Sequence, residues 1–364
     1  MLRYTMIRMV WIFIVLFTVL TLNFTLLKLA PEYPPTVPEE RELYYNRQVR
    51  DGFMTSETIR DPEIVDQIRD PDSGYERCDG CIYLYNARNH LYQVYIPVPI
   101  FQQYLAWLTN ILTDWNWGYS TRVRPNVSAY EIMAPRIAVT MKLNLMALIF
   151  YIPIGFTLGI IAALKKNSVT DNVISLGVML FISIPSFVIM LFLIMVFGFE
   201  LGWVPTQFPP RFGADGTPLP FFHTGLILPI FGLSVGSIAG LTRLTRAELT
   251  EVLTSEFLLL ARTKGLTRPQ AVVRHAMRNS MVPLVPSIIG SFVGLLSGSV
   301  IIEIIYRVPG TSRVFLDAMR PNSLDYNLIL AVTAFYTIIG LFAVLLVDLS
   351  YGVVDPRIRM GAKK

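Results

Sequence analysis

Long apolar runs alternate with polar segments along the chain. Crossing about 30 Å of hydrocarbon takes roughly 20 mostly apolar residues in a helix, which satisfies its own backbone hydrogen bonds. The runs of this kind cover residues 9–29, 137–164, 173–199, 224–241, 282–305 and 327–347. Barrel strands are excluded, because they alternate at every second residue over about ten positions. The pattern predicts an all-α, polytopic membrane protein with six transmembrane helices.

Composition agrees with a bilayer as the solvent. The 364 residues are 53% hydrophobic and 16% charged, with a mean hydropathy of +0.50, an apolar excess too large for an ordinary soluble domain. The net charge of +5 does not indicate nucleic-acid binding, because the basic residues lie in short connections rather than on one face.

The basic residues also predict orientation. An even number of spans places both termini on one side, and loops rich in Lys and Arg favour the cytoplasm. That side carries Arg3, Arg8, Lys165, Lys166, the segment 243–279 and the basic tail. We therefore expect both termini in the cytoplasm, although the opposite loop 304–326 also carries basic residues.

This topology divides the chain into three parts. Residues 1–30 form an N-terminal segment with the first helix, 31–136 an extracytoplasmic insert, and 137–364 a five-helix core with a cytoplasmic segment 243–279. Within the insert, apolar positions at helical spacing across 98–117 predict a helix on the membrane surface. Cys78 and Cys81 form a CxxC pair, for which we expect a local disulfide; a redox or metal role would need further ligands, and none accompanies the pair.

The segment 243–279 is predicted to form two helices with a break. A helical run over 248–264 ends at Gly265, which suits a left-handed C′ position. Thr267 then acts as N-cap, Gln270 completes a capping box, and Pro269 is tolerated in the first turn. The second helix places Ala271, Val272, His275 and Ala276 on one stripe and Arg274 and Arg278 on another. Such a basic, amphipathic pair either lies on anionic lipid or fills a groove on a soluble partner, and the residues alone leave both open.

Several motifs resemble, in the same order, permease subunits of bacterial peptide importers of the ABC class. They are LARTKGL at 260–266 with RHAMRN at 274–279 and Pro283, LAP at 29–31, SIPSF at 183–187, LGWVP at 201–205, GSVIIE at 298–303 with Pro309 and Gly310, VDL at 347–349 and DPRIR at 355–359. The insert over 39–95 and the loop 306–312 depart from that family's pattern.

The resemblance implies a multi-pass subunit of the bacterial inner or plasma membrane that lines a pathway for oligopeptides or dipeptides. Its implied partners are a second homologous permease, two ATPase subunits that bind ATP and Mg, and an extracytoplasmic peptide-binding protein. This chain has no P-loop, so no cofactor is expected in it. Residues expected to couple to the ATPases are Glu251, Ala261, Arg262, Lys264, Gly265 and His275, although His275 and Gly265 also suit purely structural roles.

Other candidates concern the substrate pathway. Its expected residues are Ser183, Pro185, Gly236, Gly294 and Glu303; the last also suits a structural pairing with Arg307. Glycines at 232, 236 and 240, and at 290, 294 and 298, predict smooth ridges for close helix packing. Gly232–Gly236 also fits the G-x-S-x-G pattern of a hydrolase, but Ser234 lies in mid-span without an acid and histidine nearby, so no catalytic residue is expected. A carrier of nickel or another small solute, or less readily a membrane-embedded hydrolase, remain the alternatives.

Overall fold

A computed structural model describes residues 2–30, 34–69, 78, 80–86, 91–210, 220–296, 300–321 and 324–354. Its α-helices are α1 Leu2–Leu29, α2 Pro38–Arg50, α3 Pro62–Arg69, α4 Ile100–Asp114, α5 Ala129–Leu164, α6 Val169–Ser183, α7 Ser186–Leu193, α8 Ile227–Leu253, α9 Glu256–Thr263, α10 Arg268–Ala271, α11 Met277–Leu296, α12 Val300–Ile305, α13 Thr311–Ala318 and α14 Tyr326–Val354. The strands are β1 Met54–Ile59, β2 Ile82–Asn86 and β3 Leu91–Pro97.

The apolar helices confirm a polytopic, mainly helical membrane protein. Among the described residues, four helices are long and apolar enough to cross a membrane unbroken: Thr5–Leu29, Ala129–Leu164, Thr224–Leu253 and Tyr326–Gly352. They correspond to the first, second, fourth and sixth predicted spans. The fifth, 282–305, divides between α11 and α12, and residues 297–299 between them lie outside the described part of the chain.

The third predicted span is not one straight helix. It consists of Val169–Ser183 and Ser186–Glu200, which meet at an angle of 99°. Pro185 explains the break, because proline lacks a backbone N–H and pushes the preceding residue towards extended geometry. Ile184 indeed has φ −83° and ψ 126°. Pro153, by contrast, lies inside the continuous helix α5.

The chain divides into two compact units. The core unit comprises Met1–Leu16, Pro135–Val314 and Tyr336–Lys364. Within it, α8 packs against α6, α7 and α11. Helix α5 comes close to α8 at two glycines: a Cβ on Gly159 would lie 2.5 Å from Cβ of Thr245, and one on Gly155 would lie 3.1 Å from Cβ of Leu241.

The close helix contacts predicted at the glycine ridges differ from this packing. A Cβ on Gly236, Gly240 or Gly290 would meet nothing within 4 Å, whereas one on Gly232 would contact Met190. Three of these glycines therefore border open space in the described core unit instead of a neighbouring helix. The contacts of Gly294 and Gly298 lie outside the residues whose side chains are described.

The insert unit comprises Phe17–Ala134 and Phe315–Phe335. Its three strands form an antiparallel sheet in the order β1-β3-β2, with Met54 opposite Pro97 and Ile82 opposite Tyr95. The all-α prediction did not anticipate this sheet. Cys78 and Cys81 are joined by a disulfide.

Aromatic side chains form much of the interior of the insert unit. Phe24 is fully buried, with ring-centroid distances of 5.1 Å to Trp107 and 5.5 Å to Tyr104. These contacts bury one face of the predicted surface helix, seen as α4, while Phe101 and Leu112 remain 69% and 75% exposed on the other. The helix is therefore amphipathic, with an apolar exposed face, as expected of a membrane-surface helix.

A buried carboxylate organises the loop before α5. Asp325 accepts hydrogen bonds at one oxygen from the Ser120 hydroxyl, at 2.5 Å, and from the backbone N–H groups of residues 121, 122 and 123, at 3.1–3.2 Å. The side chain of Asp325 is fully buried. Charge-assisted bonds of this kind are among the stronger ones in proteins, so Asp325 holds the loop in place.

Candidate docking segment

The segment 243–279 contains a second break that the sequence analysis did not predict. α8 ends at Leu253, and α9 begins only at Glu256. The predicted uninterrupted helix over 248–264 is therefore wrong. Ser255 adopts extended geometry as N-cap of α9, and its hydroxyl donates to the carbonyl of Val252 at 2.5 Å. Because Ser and Thr side chains compete with the helix for backbone partners, this break has a local cause.

The turn between α9 and α10 has the predicted chemistry. Gly265 has φ +93°, a left-handed conformation that costs glycine little. Thr267 and Gln270 form the capping box, and the backbone N–H of Thr267 donates to Gln270 Oε1 at 3.1 Å. A short π-helical stretch, Val272–Ala276, then leads into α11. The turn therefore places α9 and α10 as consecutive short helices.

Small apolar side chains fix the segment to the core unit. Leu258, Ala271 and Ala276 form one buried cluster with Leu249 of α8 and Ala163 of α5. Leu249 and Ala276 are fully buried. This cluster joins α9, the π-helical stretch and the ends of two membrane helices through packed side chains.

The opposite face of the segment is exposed and combines charge with apolar area. The exposed basic residues are Arg262, Lys264, Arg268, Arg274 and Arg278. Between them lie Leu259, Leu260 and Val273, which are 62%, 56% and 68% exposed. Basic groups around an apolar patch suit a surface that binds a protein partner.

The structure distributes the six predicted coupling residues unequally. Glu251, Arg262, Lys264, Gly265 and His275 are exposed along the segment. Ala261 is buried, with 9% exposure, and packs within the chain. His275 is also not on the buried stripe predicted for it, because Ala271, Val272 and Ala276 form that stripe without it.

An ion pair lies at the start of the segment. Both carboxylate oxygens of Asp171, at the start of α6, accept hydrogen bonds from Arg246 of α8, from Nε at 2.6 Å and from Nη2 at 2.8 Å. The carboxylate also accepts from the backbone N–H of Asn167 at 2.9 Å. The side chain of Asp171 is 1% exposed and that of Arg246 is 33% exposed. This fork ties α6 to α8 three residues before Leu249.

The predicted pathway residues fall at separate places in the core unit. Ser183 and Pro185 are exposed at the 99° bend, and Gly236 borders open space on α8. The surroundings of Gly294 lie outside the described side chains.

Glu303, which was predicted to lie in the pathway, is enclosed by protein in the core unit. It is 2% exposed and accepts hydrogen bonds from the Thr140 hydroxyl, at 3.2 Å, and from the backbone N–H of Arg313, at 2.8 Å. The side chain of Arg307 donates instead to Gln207. The carboxylate therefore holds the loop after α12 against α5, and the described side chain of Arg307 is paired with Gln207 and not with Glu303.

The hydrolase pattern does not assemble a site. Ser234 is fully buried, and its hydroxyl is 3.5 Å from the carbonyl oxygen of Ala147. His223 instead contacts Phe208 edge-to-face, with ring centroids 5.1 Å apart. Within the described part of the chain, no group of three His, Cys, Asp or Glu side chains is placed to hold a metal ion.

Two features that position the segment were missed, although the sequence carries a signal for each. Gly155 and Gly159 have the four-residue spacing that favours close helix contact. Ser168 and Asp171 have the S-x-x-D spacing of a capping motif before an apolar run, and Ser168 Oγ accepts from the backbone N–H of Asp171 at 3.3 Å. Neither signal names the partner helix, because that depends on tertiary packing.

Comparison with known proteins gives consistent matches. The sequence profile described as "Binding-protein-dependent transport system inner membrane component" matches residues 155–360. The chain is 29% identical to the oligopeptide transport system permease protein OppB of Haemophilus influenzae, over 94% of this chain and 95% of that protein. It is 34% identical to the dipeptide transport system permease protein DppB of Bacillus subtilis, over 73% and 81%. A chain of the MetNI methionine ABC transporter superposes with a TM-score of 0.48 at 16% identity, covering 62% of this chain and 97% of that chain.

Proposed function

Because the chain belongs to the family of binding-protein-dependent transport system inner membrane components, we propose that it lines the pathway of an ATP-driven importer whose cargo is a peptide. As a family member it is a membrane transport subunit and not an enzyme. Peptide cargo is supported by the names of its relatives, which are oligopeptide and dipeptide permeases.

One observation carries the mechanical part of the proposal: the segment 243–279 is anchored on one face and exposed on the other. Its buried cluster with Leu249 and Ala163 transmits force to α8 and α5. Its exposed basic and apolar face supplies the surface that an ATPase subunit grips. Closure of two such ATPases on ATP and Mg would displace the segment and shift the membrane helices between outward-open and inward-open states.

The remaining parts of the assembly follow from this role. The importer would contain a second, homologous permease, two ATPase subunits and an extracytoplasmic peptide-binding protein. The segment then faces the cytoplasm, and so do both termini, in agreement with the basic residues on that side. The bend at Ser183 and Pro185 and the open face at Gly236 would border the pathway.

Charge reversal on the exposed face tests the docking role. The double variant Arg262→Glu/Lys264→Glu should lose co-purification with the ATPase subunits, because it places two acidic groups in a basic contact surface. Lys165→Glu/Lys166→Glu is the matched control, since these lysines are also exposed and lie outside the segment. Equal ATPase retention by both variants would contradict the proposal.

The insert unit offers a surface for the binding protein. Thr55, Ser56 and Glu57 are exposed on β1, at the edge of the sheet. Deleting 39–95 would also remove Phe53, whose ring lies 6.5 Å from that of Phe24, so point changes are the cleaner test. Ser56→Arg/Glu57→Arg should weaken capture of the binding protein in a pull-down and leave ATPase association unchanged; undiminished capture would remove this assignment.

A further inference from the structure

A groove lined by hydroxyl groups lies between α5, α8 and α11 of the core unit. Its volume is about 150 Å³, and its polar lining comes from Tyr151, Ser237, Ser287 and Ser291, beside Gly240. The side chains that line it carry no charge. Tyr151 and Ser237 lie near the middle of their membrane spans, at the depth where membrane transporters commonly hold their substrates.

The hydrogen bonds of the three serines leave their hydroxyl oxygens able to accept a further hydrogen bond from a group in the groove. Each serine donates to a carbonyl one turn earlier in its own helix: Ser237 to Leu233 at 3.1 Å, Ser287 to Pro283 at 2.9 Å and Ser291 to Ser287 at 2.9 Å. A hydroxyl that donates to its own helix still accepts through its remaining lone pairs. The three serines therefore present acceptors.

Tyr151 supplies the complementary donor. Its side chain is 1% exposed, and its hydroxyl lies beside Ser291. No hydrogen bond of ordinary length and angle reaches that hydroxyl from the described residues. A buried polar atom without a partner is costly, so a bound group that accepts a hydrogen bond would be stabilised here.

The walls of the groove are bare enough for a main chain to approach. Gly240 lines the groove, and a Cβ on it would meet nothing within 4 Å. Neutral acceptors and one neutral donor along an uncharged wall match the N–H and C=O groups that every peptide carries, whatever its side chains. We propose that this groove contacts the main chain of the transported peptide, with Tyr151 donating to a peptide carbonyl and the serines accepting from peptide N–H groups.

This inference rests on the proposed function, and its test separates the two. The complete importer with its binding protein is reconstituted in liposomes, and uptake is measured for a labelled tripeptide and for the same tripeptide methylated at its amide nitrogens. Tyr151→Phe should lower uptake of the unmodified peptide about two- to tenfold, as expected for one neutral hydrogen bond. Ser237→Ala/Ser287→Ala should lower the preference of the importer for the unmodified peptide by a similar factor.

Matched controls exclude effects of buried hydroxyls in general. Ser234→Ala lies on the same helix as Ser237 but away from the groove, and Tyr306→Phe removes another buried phenol, which contacts the carbonyl of Met190 at 3.4 Å. Both should keep the wild-type preference between the two peptides.

The outcomes are distinct. Absence of any peptide uptake by the wild-type importer would overturn the proposed function. Wild-type preference in the serine variant together with undiminished uptake by Tyr151→Phe would overturn the groove assignment alone. Loss of the second permease from the purified groove variants would also overturn it, because the hydroxyls would then serve subunit assembly.

Discussion

Replacing Arg246 with glutamine removes the charged partner of a buried carboxylate and keeps a polar side chain at that position of α8. Asp171 accepts two hydrogen bonds from Arg246, at 2.6 and 2.8 Å, and its side chain is 1% exposed. The variant would leave this charge with the Asn167 N–H at 2.9 Å and the Ser175 hydroxyl at 3.3 Å. Those bonds replace only part of what the guanidinium supplied.

The expected cost follows from the burial of the two partners. Breaking a buried pair by removing one member costs about 3–5 kcal/mol, and the one-third exposure of Arg246 places this pair at about 3 kcal/mol. Arg8→Gln provides the control, because Arg8 and Asp348 form a pair at 3.2 Å in the same unit with 43% and 18% exposure. A pair this exposed should contribute below about 1 kcal/mol.

A double-mutant cycle measures the effect. Free energies of unfolding are compared for Arg246→Gln, Asp171→Asn and the double variant, in which no unpaired charge remains. The double variant should be more stable than Arg246→Gln by at least about 1 kcal/mol, since removal of the orphaned charge relieves its desolvation. Because the pair ties α6 to α8, which leads into the docking segment, Arg246→Gln should also lower the number of peptides imported per ATP hydrolysed. Additive effects, or a loss no larger than that of Arg8→Gln, would refute the reasoning.

Three further predictions concern packing, the buried loop and pH. Gly159→Ala should lower the thermal unfolding midpoint of the purified complex, because overpacking against Thr245 costs about 1–3 kcal/mol, whereas Gly177→Ala, which meets nothing within 4 Å, should not. Asp325→Asn should destabilise the insert unit in limited proteolysis far more than Asp317→Asn, which breaks a surface pair with Arg320. Burial raises the pKa of Asp51, against the opposing effect of Arg50 and Arg47, so the stability contributed by its protonated form should be lost as pH rises through the folded-state pKa. Asp51→Asn should flatten that decline in melting curves recorded from about pH 4 to 7.

Much of the docking segment was predictable because its signals are local. Gly265 needs only its own left-handed conformation, and the capping box at Thr267 and Gln270 spans four consecutive residues. The break at Ser255 was missed. Ser and Thr are tolerated inside helices, and they interrupt a helix only where tertiary packing stabilises the interruption. Here burial of Leu258 against Leu249 stabilises the break, and sequence spacing does not reveal this contact.

The glycine pattern shows why spacing alone could not place the helix contacts. Gly155 and Gly159 share the four-residue spacing of Gly236 and Gly240, yet the first two approach α8 closely and the last two border open space. Spacing establishes that one helix face is bare; what covers that face depends on the rest of the fold. The packing of Glu303 could not be predicted for the same reason, because its partner Thr140 lies 163 residues away.

The docking segment and the hydroxyl groove share a single continuous helix. Ser237 lines the groove, Arg246 holds Asp171, and Leu249 packs on the segment, all within α8. Nine residues separate Ser237 from Arg246, about 14 Å at 1.5 Å per residue. Because α5 and α8 approach each other closely where Gly159 meets Thr245, these two helices are expected to move as one body. Relative motion driven from the segment should then concentrate between α8 and α11, the side of α8 on which the groove lies.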